Sequence, residues 1–204
     1  MIPTSDITGL ILAGGRGSRM GGVDKGLQVF NGAPMAMHTL MRLSPQVGHM
    51  LINANRNLAA YESFGVPVVV DSVPDFAGPL AGVLAGLEQC QTPYLLTAPC
   101  DSPFVPIDLA AKLSQALVEA GARIALPVTL EPDENGQPRR QVQPVFCLLD
   151  AALADDLTAY LQQGGRKIDA WTARHPSVEV VFDDAAAFAN INTLAELRQL
   201  AERR

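Results

Sequence analysis

The segment Leu12-Ala-Gly-Gly-Arg-Gly-Ser-Arg-Met-Gly-Gly-Val-Asp-Lys25 is where residue types and spacing point most directly to chemistry. Glycines at 14, 15, 17, 21 and 22 leave the backbone bare, so successive N–H groups can converge on one anion. Arg16, Arg19 and Lys25 set three cations against a single carboxylate, Asp24. Bare donors and concentrated positive charge suit a polyphosphate. Two familiar phosphate loops do not fit. A dinucleotide fingerprint needs glycine at position 20 after Gly15 and Gly17, where Met20 stands. A Walker loop needs Gly before Lys25 and Ser or Thr after it, where Asp24 and Gly26 stand. The bland alternative, a solvated surface loop, is the weaker reading directly after a buried strand.

Asp101 follows the apolar run Tyr94–Ala98 and precedes Ser102-Pro103. It is either a hard oxygen ligand for a divalent cation at a strand end or a turn or cap aspartate. Asp71 and Asn53 also close apolar runs, where turn chemistry is the ordinary explanation. Gly78-Pro79-Leu80-Ala81-Gly82 opens a helix and forms either a wall against a ligand or a tight turn. Arg166 and Lys167 follow a double glycine, as phosphate contacts or as a solvated basic pair. His38, His49 and His175 have no metal-ligand spacing, and Cys90, Cys100 and Cys147 form no Cys-x-x-Cys pair. The three cysteines read as small buried thiols of a reducing cytoplasm.

These residues need a scaffold that gathers strand ends. Apolar runs at Ile7–Ala13, His49–Ala54, Val66–Val70, Tyr94–Ala98 and Arg123–Val128 read as strands, the first buried on both faces. Helix-period segments lie between them at Met35–Leu43, Leu58–Phe64, Leu80–Gln89 and Asp108–Ala120, the last with Asp108 as its cap. Polar Leu130–Arg140 then leads to a strand at Val142–Leu149, expected to run antiparallel. A helix at Ala151–Gln162, a strand at Val178–Phe182 and a helix at Leu194–Arg203 complete the chain. Such repetition implies an α/β fold: a three-layer, Rossmann-like, mostly parallel sheet with helices on both faces and one antiparallel strand. Residues 1–204 are expected to form a single domain.

The chain of 204 residues is 48% hydrophobic and 18% charged, with 15 basic and 21 acidic side chains and a net charge of −6. An acidic protein repels phosphate-rich surfaces at long range, which argues against nucleic-acid or membrane partners. No apolar stretch approaches the roughly 18 residues of a membrane span, and the N-terminus lacks the basic start of a secretory signal. A cytoplasmic location is expected.

The pattern Leu12-Ala-Gly-Gly-x-x-x-Arg-Met-Gly-Gly-x-Asp-Lys25 resembles the signature loop of nucleotidyltransferases with the nucleotide-diphospho-sugar-transferase fold. It is most similar to the molybdenum cofactor guanylyltransferases. Further motifs recur in order: Ile52-Asn53-Ala-Asn55, Asp71, Gly78-Pro79-Leu80-Ala-Gly82, Cys100-Asp101-Ser-Pro103, Gly165-Arg166-Lys167 and Asn190-Ile-Asn192-Thr193. Gln143-Pro144 departs from the pattern, since many relatives carry His before Pro, and position 143 receives no acid–base role. The resemblance implies transfer of GMP from GTP to molybdopterin, with or without molybdenum, and release of pyrophosphate. It implies Mg²⁺ on Asp101, and other proteins of molybdenum cofactor biosynthesis as partners. Leu12, Ala13, Gly14, Gly15, Lys25, Asn53, Asp71, Gly78 and Asp101 would bind GTP, with the Asp71 carboxylate accepting from guanine N1–H and N2–H. Lys25, Arg19 and Asp101 would act on the phosphates. Arg166, Asn190 and Asn192 would face the pterin. A cytidylyltransferase for the same pterin, a sugar-phosphate nucleotidyltransferase and a non-catalytic nucleotide-binding module remain alternatives.

Overall fold

The first strand, β1 (Ile7–Leu12), is apolar along most of its length because both its faces are covered. Ile7 and Ile11 join one hydrophobic cluster, and Leu10 joins a second on the opposite face. A computed structural model describes residues 1–15, 23–73, 78–132 and 136–191. After β1 come β2 (Val29–Phe30), β3 (Ala33–Pro34), α1 (Met35–Leu43), β4 (His49–Asn53), α2 (Leu58–Glu62) and β5 (Val68–Val69). Then follow α3 (Pro79–Gln89), β6 (Tyr94–Pro99), α4 (Leu109–Ala120), β7 (Ile124–Pro132) and β8 (Pro138–Val142). The described chain finishes with β9 (Leu148–Asp150), α5 (Ala154–Gln162), α6 (Ile168–Thr172) and β10 (Ser177–Phe182).

The main sheet has the order β10-β7-β9-β6-β1-β4-β5, with β8 also paired to β7. Pairing is parallel for β1 with β4 and β6, for β4 with β5, and for β7 with β10. Helices cover both faces. Leu40 and Leu43 of α1 and Leu109, Leu113 and Leu117 of α4 pack into the first cluster. Leu80, Leu84 and Leu87 of α3 and Leu157 and Leu161 of α5 pack into the second. Each such leucine, fully buried, contributes about 1.5–3 kcal/mol. Leu12 pairs with Asn53 on one side and with Pro99 on the other, so β1, β4 and β6 end together at one edge. The chain crosses from one side of β1 to the other between β5 and β6, and a crevice opens at such a switch point.

Several expectations are corrected in detail. Val142–Leu149 is not one strand. It divides into the end of β8, a turn over 143–147 and β9, giving the sheet two antiparallel strands where one was expected. Pro144 has no N–H to give a ladder, and Thr97 of β6 serves the turn instead. Its hydroxyl lies 2.6 Å from the Val145 carbonyl and 3.2 Å from the Cys147 N–H. Asp108 precedes α4 but makes no side-chain cap; its carboxylate holds Lys112 at 2.9 Å. The first turn of the Ala151–Gln162 helix is 3₁₀. The β2–β3 hairpin and α6 were not expected. Asn31-Gly32, both at positive φ, is the tight-turn signal that marks the hairpin. The expected helix at Leu194–Arg203 lies outside the described residues.

Candidate active site

The common edge of β1, β4 and β6 opens into a cavity of about 360 Å³. Leu12, Gly14, Gly15, Asn53, Asp71 and Gly78 line it, all six expected at the nucleotide, together with Pro79, Pro99 and Val145. Ala13 is buried behind the wall, its N–H donating to Asn53 O at 2.8 Å. Gly78 has φ +77°, a conformation that suits glycine, and turns the chain into α3.

On one wall the Asp71 carboxylate is held by two amides. Asn53 Nδ2 donates to Oδ1 and Asn55 Nδ2 to Oδ2, both at 2.8 Å. Asn55 Oδ1 accepts from the Asp71 N–H at 2.9 Å, and its Nδ2 also reaches Gly14 O at 3.2 Å. Two carboxylate oxygens offer about four acceptor sites, so each keeps capacity for a ligand donor. Space for these amides comes from absent side chains. A Cβ on Gly14 would stand 2.7 Å from Asn53 Oδ1 and 2.8 Å from Asn55 Nδ2, and a Cβ on Gly82 would overlap Asn53 Oδ1.

Beside the cavity, Cys100 N donates to Leu12 O at 3.1 Å, which sets the next residue, Asp101, against the glycine-rich segment. Lys25 Nζ meets Asp101 Oδ2 at 3.0 Å, with the carboxylate side chain 12% exposed. Burial pushes the Cys100 thiol far up, and the negative charges of Asp101 and Asp24 add to it against the pull of Lys25. Burial likewise raises Tyr61, so both stay protonated beside the ion pair. Among the described residues no three His, Cys, Asp or Glu side chains gather as a metal cage. A single hard carboxylate suits Mg²⁺, which takes one or two protein carboxylates and completes its shell with phosphates and water.

The residues expected at the second substrate are placed less directly. Arg166 lies near the mouth, its carbonyl 3.9 Å from where a Gly78 Cβ would be. Its guanidinium turns back to the Leu161 and Gly165 carbonyls at 2.8 and 2.6 Å. Asn190 Oδ1 accepts from buried Ser102 Oγ at 2.7 Å, and Ile191 N donates to Asp101 O at 2.9 Å. Asn190 therefore sits beside the Lys25–Asp101 pair. Arg19 and Asn192 lie outside the described residues.

Residues 9–178 match the MobA-like NTP transferase domain. This chain belongs to that family. Among MobA-like relatives, it is 94% identical over the full length of both chains to the molybdenum cofactor guanylyltransferase of Ralstonia nicotianae. It is 70% identical to that of Cupriavidus taiwanensis, over 97% of this chain and 98% of the relative. Molybdopterin-guanine dinucleotide biosynthesis protein A of Archaeoglobus fulgidus shares the fold at a TM-score of 0.72 and 23% identity, covering 96% and 97% of the two chains. The 2-C-methyl-D-erythritol 4-phosphate cytidylyltransferase of Thermus thermophilus does so at 0.69 and 18%, covering 95% and 96%. Asn55 belongs to the site although no role is expected of it from its residue type alone. Its signal is the Asn-x-Asn spacing closing β4, which puts two amides on the same side of an extended segment.

Proposed function

We propose that this MobA-like NTP transferase is a Mg²⁺-dependent, cytoplasmic molybdenum cofactor guanylyltransferase that joins GMP from GTP to molybdopterin and releases pyrophosphate. The observation that carries the reading is the adjacency of two features at one sheet edge. The Lys25–Asp101 pair adjoins a cavity whose wall presents an oriented Asp71 carboxylate. A carboxylate fixed by two amides suits the paired N1–H and N2–H donors of guanine.

In the reaction, a terminal phosphate oxygen of molybdopterin attacks the α-phosphorus of GTP in line, and the bond to the β-phosphate oxygen breaks. An anion attacking an anion needs positioning and charge neutralisation more than it needs a base. In the protein alone, Lys25 Nζ is matched by Asp101; a polyphosphate offers it a stronger anionic partner, and it then stabilises the α-phosphate. Asp101 would hold magnesium, which when bound supplies positive charge to the phosphate oxygens. Arg19 neutralises the departing pyrophosphate. The Gly14–Gly15 backbone lets the nucleotide approach closely, and Asn190 orients the acceptor.

The test is a nucleotide screen with purified protein, molybdopterin and MgCl₂. Pyrophosphate release and a guanine dinucleotide product are expected with GTP and not with CTP or ATP. Consumption of CTP, or tight GTP binding without turnover, would refute the reading.

A further inference from the structure

The segment 55–57, between β4 and α2, grips both limbs of the glycine-rich loop. Asn55 bonds Gly14 O on the entering limb at 3.2 Å. On the leaving limb, Arg56 Nη2 donates to Val23 O at 3.1 Å and Asn57 Nδ2 to Asp24 Oδ2 at 2.9 Å. The other oxygen of Asp24 accepts from the Tyr61 hydroxyl, on α2, at 2.6 Å. Arg56 Nε lies 3.8 Å from Asp24 Oδ2.

Asp24 is 9% exposed, and a carboxylate so enclosed is tolerable only because donors meet both its oxygens. Tyr61, fully buried and held protonated by that burial, can act there only as a donor. Gly26 makes room for it: a Cβ there would stand 2.5 Å from the Tyr61 oxygen. Asn57 adopts a left-handed backbone at φ 52°, which turns the chain so that its amide faces Asp24. The next residue after this doubly anchored carboxylate is Lys25, whose ammonium meets Asp101.

We infer that Asp24 is a positioning residue for Lys25, and that Tyr61 and Asn57 influence turnover through it. The inference rests on the role given to Lys25 above. Fixing both oxygens of Asp24 fixes the backbone one residue before the ammonium. A misplacement of about 1 Å at a reacting centre costs about 100-fold, so loss of one of two anchors should cost about tenfold in kcat. Substrate affinity, spread over the whole cavity, should hardly change.

The variants are Tyr61→Phe and Asn57→Gly, the second keeping the left-handed backbone. Each is made in the wild-type chain and in Lys25→Ala, with kcat read from pyrophosphate release and GTP Kd from equilibrium titration. In the wild-type chain each should lower kcat about tenfold and change Kd by less than about twofold. In the Lys25→Ala chain neither should lower the residual kcat further, because the group they act through is gone. An equal loss in both backgrounds, or wild-type kcat in both single variants, overturns the inference. If Lys25→Ala itself turns over normally, the role of Lys25 fails, and that failure is read on a variant that leaves every partner of Asp24 in place. Should Tyr61→Phe not fold, Asn57→Gly carries the same comparison.

Discussion

Gly82→Ala sets helix propensity against the geometry of the cavity wall. Gly82 lies inside α3, where alanine is favoured over glycine by about 1 kcal/mol. The added methyl would overlap Asn53 Oδ1 and stand 2.8 Å from Leu12 Cδ2 and 2.9 Å from Asn53 Cγ. Overpacking of this kind costs about 1–3 kcal/mol, so the net loss of stability is about 0–2 kcal/mol and the fold survives. The group that yields is Asn53, and with it goes the 2.8 Å bond to Asp71 Oδ1. Held then by Asn55 alone, the carboxylate can turn about that bond and, on the proposed reading, loses one of its two guanine contacts. Hydrogen bonds to charged groups are worth about 1.5–3 kcal/mol, so the Kd for GTP should rise roughly 10- to 100-fold. Gly86→Ala is the control, because the nearest atoms to its methyl all belong to the side chain of Leu10, which it would overlap at Cδ2 and meet at 3.1 Å at Cδ1 and 3.2 Å at Cγ. Urea unfolding followed through Trp171, the one tryptophan and fully buried, gives the stability of both variants, and titration gives GTP affinity. Comparable stability loss with GTP binding weakened only in Gly82→Ala is expected. Wild-type affinity in Gly82→Ala, or an equal loss in Gly86→Ala, would refute the link from Asn53 to Asp71.

Asp101→Ala should lower turnover by several orders of magnitude with little shift in the urea midpoint; normal turnover and magnesium dependence in that variant would remove Asp101 from the phosphate chemistry. Asp71→Ala should weaken GTP use and narrow the preference for GTP over ATP, read as kcat/KM for each nucleotide; unchanged ratios would make Asp71 a turn residue only. Asp156, on α5, offers a pH test. Burial opposes ionisation, but hydrogen bonding from Trp171 and the charges of His175 and Arg174 outweigh it and hold the carboxyl below its ordinary value. Its contribution to stability is therefore present above about pH 3.9 and fades as pH falls through the lower folded value. Asp156→Asn should melt below wild type at neutral pH and converge with it in acid, and a gap that persists in acid would contradict the assignment.

What could be read from the residues alone was the part of the fold whose periodicity is clean. β1, β4 and β6 announce themselves because strands covered on both faces carry nearly unbroken apolar runs. The residues closing two of those runs, Asn53 and Asp101, could thus be placed at one edge before any coordinates. Val142–Leu149 misled because six of its residues are apolar, while the groups that satisfy its turn belong to Thr97 on another strand. Ile168–Thr172 is too short for a helical period to show, although Trp171 is buried with its indole N–H on Asp156 at 2.9 Å. The bonds among Asn55, Asn57, Tyr61, Asp24 and Asp71 join residues 16 to 37 positions apart, and no local spacing encodes them.

The register of β1 also bears on how the protein is made. Ile7 pairs with Tyr94 and Leu12 with Pro99, so the central strand gains its second neighbour only when nearly half the chain has been synthesised. Pairings of such sequence separation are slow, because the entropy of closing the intervening loop is lost before any contact compensates it. Until β6 docks, the glycine-rich segment has neither the Leu12–Cys100 bond nor Asp101 beside it, although β4, with Asn53, and Asn55 have already been synthesised. On the proposed reading, the asparagines and Asp71 of the base-facing wall are thus synthesised before Asp101, the carboxylate that would act on phosphate.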